Sequence, residues 1–230
     1  MRRAPAHPRR AGFTLIELAV VLAIFGILLG ILVVPLSTQM EQQRIAETDR
    51  QLAAVREALI GFAIANGRLP CPANPAVATG SAGAGTENKP GTTCAAAAGV
   101  VPWAALGVPE ADVWGRRLTY RVTLNFADDP PAGAQASFLI TDPGDITVTD
   151  GAAIIATTLP AIVVSHGKNG LGGYRTDGTQ VSGATGNELE NANGNTLFVS
   201  RTYGPDFDDQ VVWISAHILK SRMVAANRLP

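Results

Sequence analysis

The run from Leu15 to Val34 constrains this chain more than any other stretch: 20 residues, each apolar or glycine except Glu17. At about 1.5 Å per residue, a helix over it reaches about 30 Å, the hydrocarbon thickness of a bilayer. Buried core helices are usually shorter and interrupted, so the run predicts a membrane-spanning helix. It also accounts for an imbalance in composition. The 230 residues are 47% hydrophobic and 16% charged, against roughly 25% charged in an ordinary soluble domain. One apolar span on a soluble body produces that imbalance. With 18 basic and 19 acidic side chains and two Cys, the composition excludes a strongly basic nucleic-acid binder and a Cys-dense scaffold. Glycine and proline are too few for a disordered chain.

Residues 1–12 carry Arg2, Arg3, Arg9 and Arg10 and no acid. Positive charge kept on the cytoplasmic side orients the helix with its C-terminal end outside. A secretory signal peptide has the same basic start, but a shorter apolar region and a small-residue cleavage site behind it. Here Pro35-Leu36-Ser37-Thr38-Gln39 comes next, with no A-x-A pattern. Within the run, Glu17 is the exception. A carboxylate in hydrocarbon is costly and calls for a partner, which makes it a functional residue by default; the alternative is an acid resting at headgroup level.

These residues resemble a known family. Arg9-Arg10-Ala11-Gly12-Phe13-Thr14-Leu15-Ile16-Glu17-Leu18 is similar to the processing site of type IV prepilins and of type II secretion pseudopilins. The shared features are the basic leader, the Gly–Phe junction, the acid five residues into the mature chain and the apolar helix behind it. The resemblance implies that a prepilin peptidase cuts between Gly12 and Phe13 and methylates the new Phe13 amine. It implies too that Glu17 pairs with the Phe13 amine of a neighbouring subunit during filament assembly. Pro35 resembles the helix-bending proline of many pilins, and Gly26-x-x-x-Gly30 fits a small-residue packing motif of membrane helices. The partners implied are the prepilin peptidase, other pilin or pseudopilin subunits and the inner membrane, with no nucleic acid. The location implied is a single inner-membrane span with a periplasmic head, and later an extracytoplasmic filament.

Beyond the run, Ile45, Leu52, Val55, Leu59 and Phe62 recur at helical spacing, and Asn66-Gly67 with Pro70 and Pro72 supplies a stop. One helix from about Thr14 to Ala65 is expected. Cys71 and Cys94 then enclose an Ala/Gly/Thr-rich stretch. If the head lies outside the cytoplasm the two pair, and closing a loop of this size is worth roughly 3 kcal/mol. The competing readings are two buried thiols or half of a metal site, although none of His7, His166 and His217 has zinc-finger spacing to the cysteines. Trp103 and Trp114 read as anchors of a loop on the core in preference to a ligand platform.

After Leu118 the period becomes two. Residues 118–124, 137–141, 146–149, 162–165, 197–200 and 211–214 read as strands, with turns at 128–131 and 142–144 and a long loop over 167–195. Ser215 is placed to cap a last helix through Arg228. No βαβ alternation appears, so the sheet is expected to be antiparallel. The fold expected is therefore α+β and pilin-like, a long helix packed on an antiparallel head with long loops. Its parts are a cleaved basic leader (1–12), a membrane and filament-core helix (13–35), an amphipathic continuation (36–66) and a globular head (67–230) holding the 71–94 loop.

No catalytic constellation emerges. Ser165 and His166 are neighbours that a strand sends to opposite faces. The glycine-rich residues 165–173 fail both the phosphate-loop and dinucleotide patterns, with Ile162, Asn169 and Arg175 where those patterns need Gly, Ser/Thr and Gly. Asp206, Asp208 and Asp209 beside a strand, with Glu188 and Glu190, offer hard oxygen ligands for calcium, which major pseudopilins of secretion systems hold in a C-terminal loop. The spacing matches no EF-hand, and solvated turn acids are the favoured reading. No cofactor is expected. The chain reads as a non-catalytic filament subunit of a type IV pilus or type II secretion pseudopilus, and its long head loops favour a minor component. The rivals are a membrane-tethered binding module or adhesin and a signal-anchored envelope hydrolase.

Overall fold

The computed structural model describes residues 12–230, the side chains of 30–37 excepted. The leader arginines and the surroundings of Gly30 and Pro35 lie outside the described residues. The chain forms two compact units whose boundary in sequence falls between Gln43 and Arg44. Helix α1 (Leu15–Asn66) runs through that boundary.

The first unit holds the start of α1. From Phe13 to Leu29 its large apolar side chains are exposed on every side of the helix, Leu15 by 88% and Ile27 by 64%. Among the described residues no helix is long and apolar enough to cross a membrane. Of the apolar run, the described side chains are those of Leu15–Leu29, 15 residues. That is about 22 Å of helix, short of the about 30 Å a span needs. The span expected from the sequence depends on residues 30–34 as well.

The second unit is built on two sheets. Strands β1 (Ala98–Val100), β2 (Thr119–Val122), β5 (Ala161–Ser165) and β7 (Gln210–Ile214) form an antiparallel sheet in the order β1-β2-β5-β7. Strands β3 (Ile146–Thr149), β4 (Ile154–Leu159) and β6 (Leu197–Val199) form the second, in the order β4-β3-β6. Three α-helices, α2 (Trp103–Leu106), α3 (Gly186–Ala192) and α4 (Ala216–Ala225), and a 3-10 turn over Leu124–Phe126 complete the unit.

Alternation along β5 organises the core. Ala161 and Val163 join Leu52, Val55, Leu59, Ile60 and Ala63 of α1, with Tyr120, Val122, Ile214, Leu219 and Met223. Ile162 and Val164 point the other way, into a second cluster with Ile146, Val148, Leu159 and Phe198. Every residue of β5 is buried, as a strand covered on both faces requires. The stripe read from the sequence is therefore the seam of α1 with the first sheet, although Ile45 and Phe62 are only half-buried.

The end of α1 is determined locally. Gly67 takes φ +74° and its N–H returns to Ala63 O at 2.8 Å, a left-handed helix stop. A Cβ on Gly67 would strike the Gln135 carbonyl oxygen. Arg228, from beyond α4, donates to Ile64 O and Ala65 O at 2.9 and 2.6 Å, satisfying carbonyls the helix leaves open.

Several sequence expectations are corrected. Residues 137–141 form no strand: Phe138 is buried against the Phe126 ring at 4.4 Å, while Leu139 and Ile140 stay exposed. The backbone there is satisfied without a ladder, by Ser137 N to Gly67 O and Leu139 N to the Asp142 carboxylate. The sheets are not wholly antiparallel, since β3 pairs parallel with β6. The 167–195 loop contains α3, and β1 and β4 are strands that the alternation did not mark. Ser215 stands at the start of α4 without a side-chain capping bond, and that helix ends at Ala225.

Cys71 and Cys94 form a disulfide with Cα atoms 5.3 Å apart. The loop it closes is held at its base by ions: Arg68 clasps Glu87 at 2.6 Å and Asp129 at 3.1 Å, and Lys89 reaches Asp129 at 2.6 Å. Glu87 also accepts the Cys71 N–H at 2.7 Å. Together these pin an apolar-poor stretch to the head.

Two outcomes are expected from this packing. Gly67→Ala places a side chain at positive φ against a backbone carbonyl and should cost at least about 1–3 kcal/mol in urea unfolding; an unchanged midpoint would refute the local stop. Cys94→Ser should lower unfolding free energy by about 3 kcal/mol, with dithiothreitol having the same effect on wild type. Equal stability of wild type with and without reductant would count against the pairing.

Candidate functional site

Two places in the described chain concentrate functional chemistry, one in each compact unit. The first is the start of α1. Thr14 precedes the helix, and its carbonyl receives the Leu18 N–H at 3.2 Å as the first turn closes. Its own N–H donates to Glu17 Oε2 at 2.8 Å, and its hydroxyl donates to the same oxygen at 2.9 Å. The Glu17 N–H in turn reaches Thr14 Oγ1 at 3.3 Å. This is a capping box: Thr at the cap and Glu three residues on satisfy each other's orphan donors. Glu17 lies in the first turn, where the helix dipole favours negative charge. Thr14-x-x-Glu17 ahead of an apolar run carries that signal in the sequence, and the reading of Glu17 as a partner-seeking acid passed over it. Phe13 is 89% exposed, so the Gly12–Phe13 junction stands open in the chain as described.

The second place is a buried polar cluster in the head. Asp208 and Asp209 sit immediately before β7, and Glu188 in the first turn of α3. A carboxylate oxygen from each of the three lies within 4.8 Å of the others. All three are buried, as is His166 at the end of β5. Asp206 is not among them; it is exposed and paired with Arg201 at 2.9 Å. Nor do Asp208 and Asp209 lie in solvent as turn acids. Of the sequence's calcium candidates the structure thus keeps Asp208, Asp209 and Glu188 together and removes Asp206.

Neighbours grip one end of each of these side chains. Asn169 donates its N–H to Asp208 Oδ2 at 2.7 Å and its amide to Glu188 Oε1 at 2.9 Å. Asn191 donates to Asp209 Oδ2 at 2.8 Å, while its amide brackets Val199 with bonds of 2.8 and 3.0 Å. His166 Nε2 meets Thr119 Oγ1 at 2.8 Å. Burial pushes the Asp208 carboxyl up to about 6; the Asn169 N–H opposes this, and the negative charges of Glu188 and Asp209 add to it. The sequence showed the acids, but not that α3 would bring Glu188 to them. Calcium prefers six to eight oxygen ligands, and an imidazole at the rim of this cluster is foreign to that set.

The remaining sequence candidates serve the packing of the head. Ser165 donates to Asp112 Oδ2 at 2.5 Å, and His166 turns to Thr119, so the two neighbours take separate partners. Trp103 lies beneath the Arg117 guanidinium at 4.6 Å and against Gly85, as a loop anchor does. Trp114 faces Arg44 at 5.5 Å. Sequence reasoning missed Arg117. It is fully buried, paired with Glu110 at 2.8 Å, and donates to Pro75 O and Thr176 O at 2.9 Å each. One side chain thereby ties three loops of the head.

No curated protein and no solved structure matches the chain. Residues 7–33 match the family model for the prokaryotic N-terminal methylation motif. The matched stretch contains Gly12, Phe13, the Thr14–Glu17 cap and the apolar helix to Val33. At its N-terminus the chain therefore carries the methylation motif that is the signature of type IV pilins.

Proposed function

We propose that this chain is a non-catalytic, pilin-like filament subunit. A prepilin peptidase cuts it between Gly12 and Phe13 and methylates the Phe13 amine. The mature helix then docks among those of other pilin or pseudopilin subunits in a type IV pilus or type II secretion pseudopilus, as a minor component. Before assembly, the run Leu15–Val34 holds the subunit in the inner membrane with the head on the periplasmic side.

One observation carries the proposal. The methylation motif coincides with a helix start that is apolar on all sides and bears one carboxylate. A helix apolar all round has no polar face to give to water, so both lipid and a bundle of like helices suit it. Among the described residues Glu17 is held by Thr14, through neutral donors of the same chain. A methylated ammonium at Phe13 of a neighbouring subunit offers a charge-assisted bond, stronger than a neutral one, and can replace them. The cap thus gives Glu17 a resting partner before assembly.

Two experiments test this chemistry. Mass spectrometry of the native chain should find an N-terminal N-methyl-Phe13; an intact Met1, or a cut beyond Val34, would sink the proposal. Glu17→Leu should be processed and inserted normally yet be recovered in sheared filaments at a small fraction of the wild-type amount. Wild-type incorporation of that variant would remove Glu17 from the assembly step.

A further inference from the structure

The buried cluster of the head is half-satisfied in a consistent way. Asp208 Oδ2, Asp209 Oδ2 and His166 Nε2 are each held by a neighbour at 2.7–2.8 Å. The opposite atoms, Asp208 Oδ1, Asp209 Oδ1 and His166 Nδ1, are buried and have no hydrogen-bond partner among the described residues. His166 has no exposure at all, and its Nδ1 stands 3.6 Å from Asp209 Oδ1, beyond hydrogen-bond reach. Glu188 adds a third carboxylate within 4.8 Å of both aspartates.

Buried polar atoms left without partners are rare in folded proteins; of the eight among the described residues three belong to this cluster, and two of these, His166 Nδ1 and Asp209 Oδ1, stand 3.6 Å apart. Ligand side chains commonly show this pattern: one atom is fixed by a hydrogen bond that orients the group, and the other is left for the ion. The backbone makes room for the arrangement. Gly167 takes φ +55°, and any Cβ there would collide with Asp208. Only glycine lets the strand carrying His166 pass so close to the acid.

We propose that Glu188, Asp208, Asp209 and His166 bind a divalent transition ion, zinc or manganese. Three carboxylates supply the charge and suit a hard ion such as manganese, while the imidazole nitrogen draws the set toward zinc and away from the all-oxygen preference of calcium. The ion would fasten α3 and the β5 end to the start of β7. These are segments that hydrogen bonds from Asn169 and Asn191 already bring together.

The test uses the full chain, purified in detergent and stripped with a chelator. His7→Ala and His217→Ala are introduced together so that the other two histidines cannot contribute. Equilibrium dialysis against Zn2+ or Mn2+ should return one ion per chain. At a free concentration about a hundredfold above the dissociation constant, the Tm should rise by about 5 °C or more. Asp209→Asn should abolish binding, and His166→Gln should weaken Zn2+ by at least tenfold. The stoichiometry of the unsubstituted cluster decides the matter even if either variant fails to fold. No bound Zn2+ or Mn2+ overturns the proposal, leaving a proton on the acids as the answer to their repulsion. Uptake of Ca2+ alone overturns it equally, because the imidazole would then have no part.

Discussion

Everything in the head depends on β5 being buried on both faces. A strand so placed must present apolar side chains in both directions, and Ala161-Ile162-Val163-Val164 does so without interruption. One face receives α1 through Leu52, Val55 and Leu59; the other receives the second sheet through Ile146, Val148 and Phe198. Neighbouring β2 is apolar on one face only, and its two faces behave differently. Tyr120 and Val122 join the α1 cluster, while Thr119 and Arg121 point away, to His166 and to Asp145 at 2.7 Å. Polar residues on the second face are thus tied into pairs. The buried acidic cluster lies at the end of β5 because β5, β7 and α3 converge there.

How much could be read beforehand depends on which forces leave a mark on hydropathy. The α1 stripe was legible because it buries apolar side chains at helical period, and β2, β3, β5 and β7 because they alternate or run apolar. Helix α3 was not legible, because what it buries is Glu188 and Asn191. A helix anchored by carboxylate and amide bonds looks like loop to any hydrophobic period. Strand β4 was hidden for the opposite reason: Ile154 and Ile155 are both exposed, and its pairing with β3 shifts register. The segment around Phe138 misled because one buried aromatic in an irregular loop mimics one tooth of a strand.

Site residues divide in the same way. Glu17 was conspicuous as the one charge in an apolar run, and Asp208 and Asp209 as a pair of adjacent acids. Their partners were not. Thr14, Asn169, Asn191 and Thr119 act through single hydrogen bonds, and a lone polar residue in a sequence does not announce which atom it will hold. Arg117 is the extreme case, an ordinary-looking basic residue that the fold buries completely and surrounds with acceptors.

The two acidic places then differ in one respect that matters for function. At Glu17 the carboxylate faces open surroundings and is held by donors of its own first turn, so its partners are exchangeable. Giving them up costs the helix a cap, and under the proposed assembly a cation from a neighbouring subunit would put a charge-assisted bond in its place. At Glu188, Asp208 and Asp209 the surroundings are closed, and taking a charge out of water is expensive unless something answers it. Among the unanswered atoms there, Asp209 Oδ1 stands 3.6 Å from His166 Nδ1, and both are buried. An exposed, locally satisfied acid suits a contact made between subunits. A buried, half-satisfied group of acids suits something held inside one subunit.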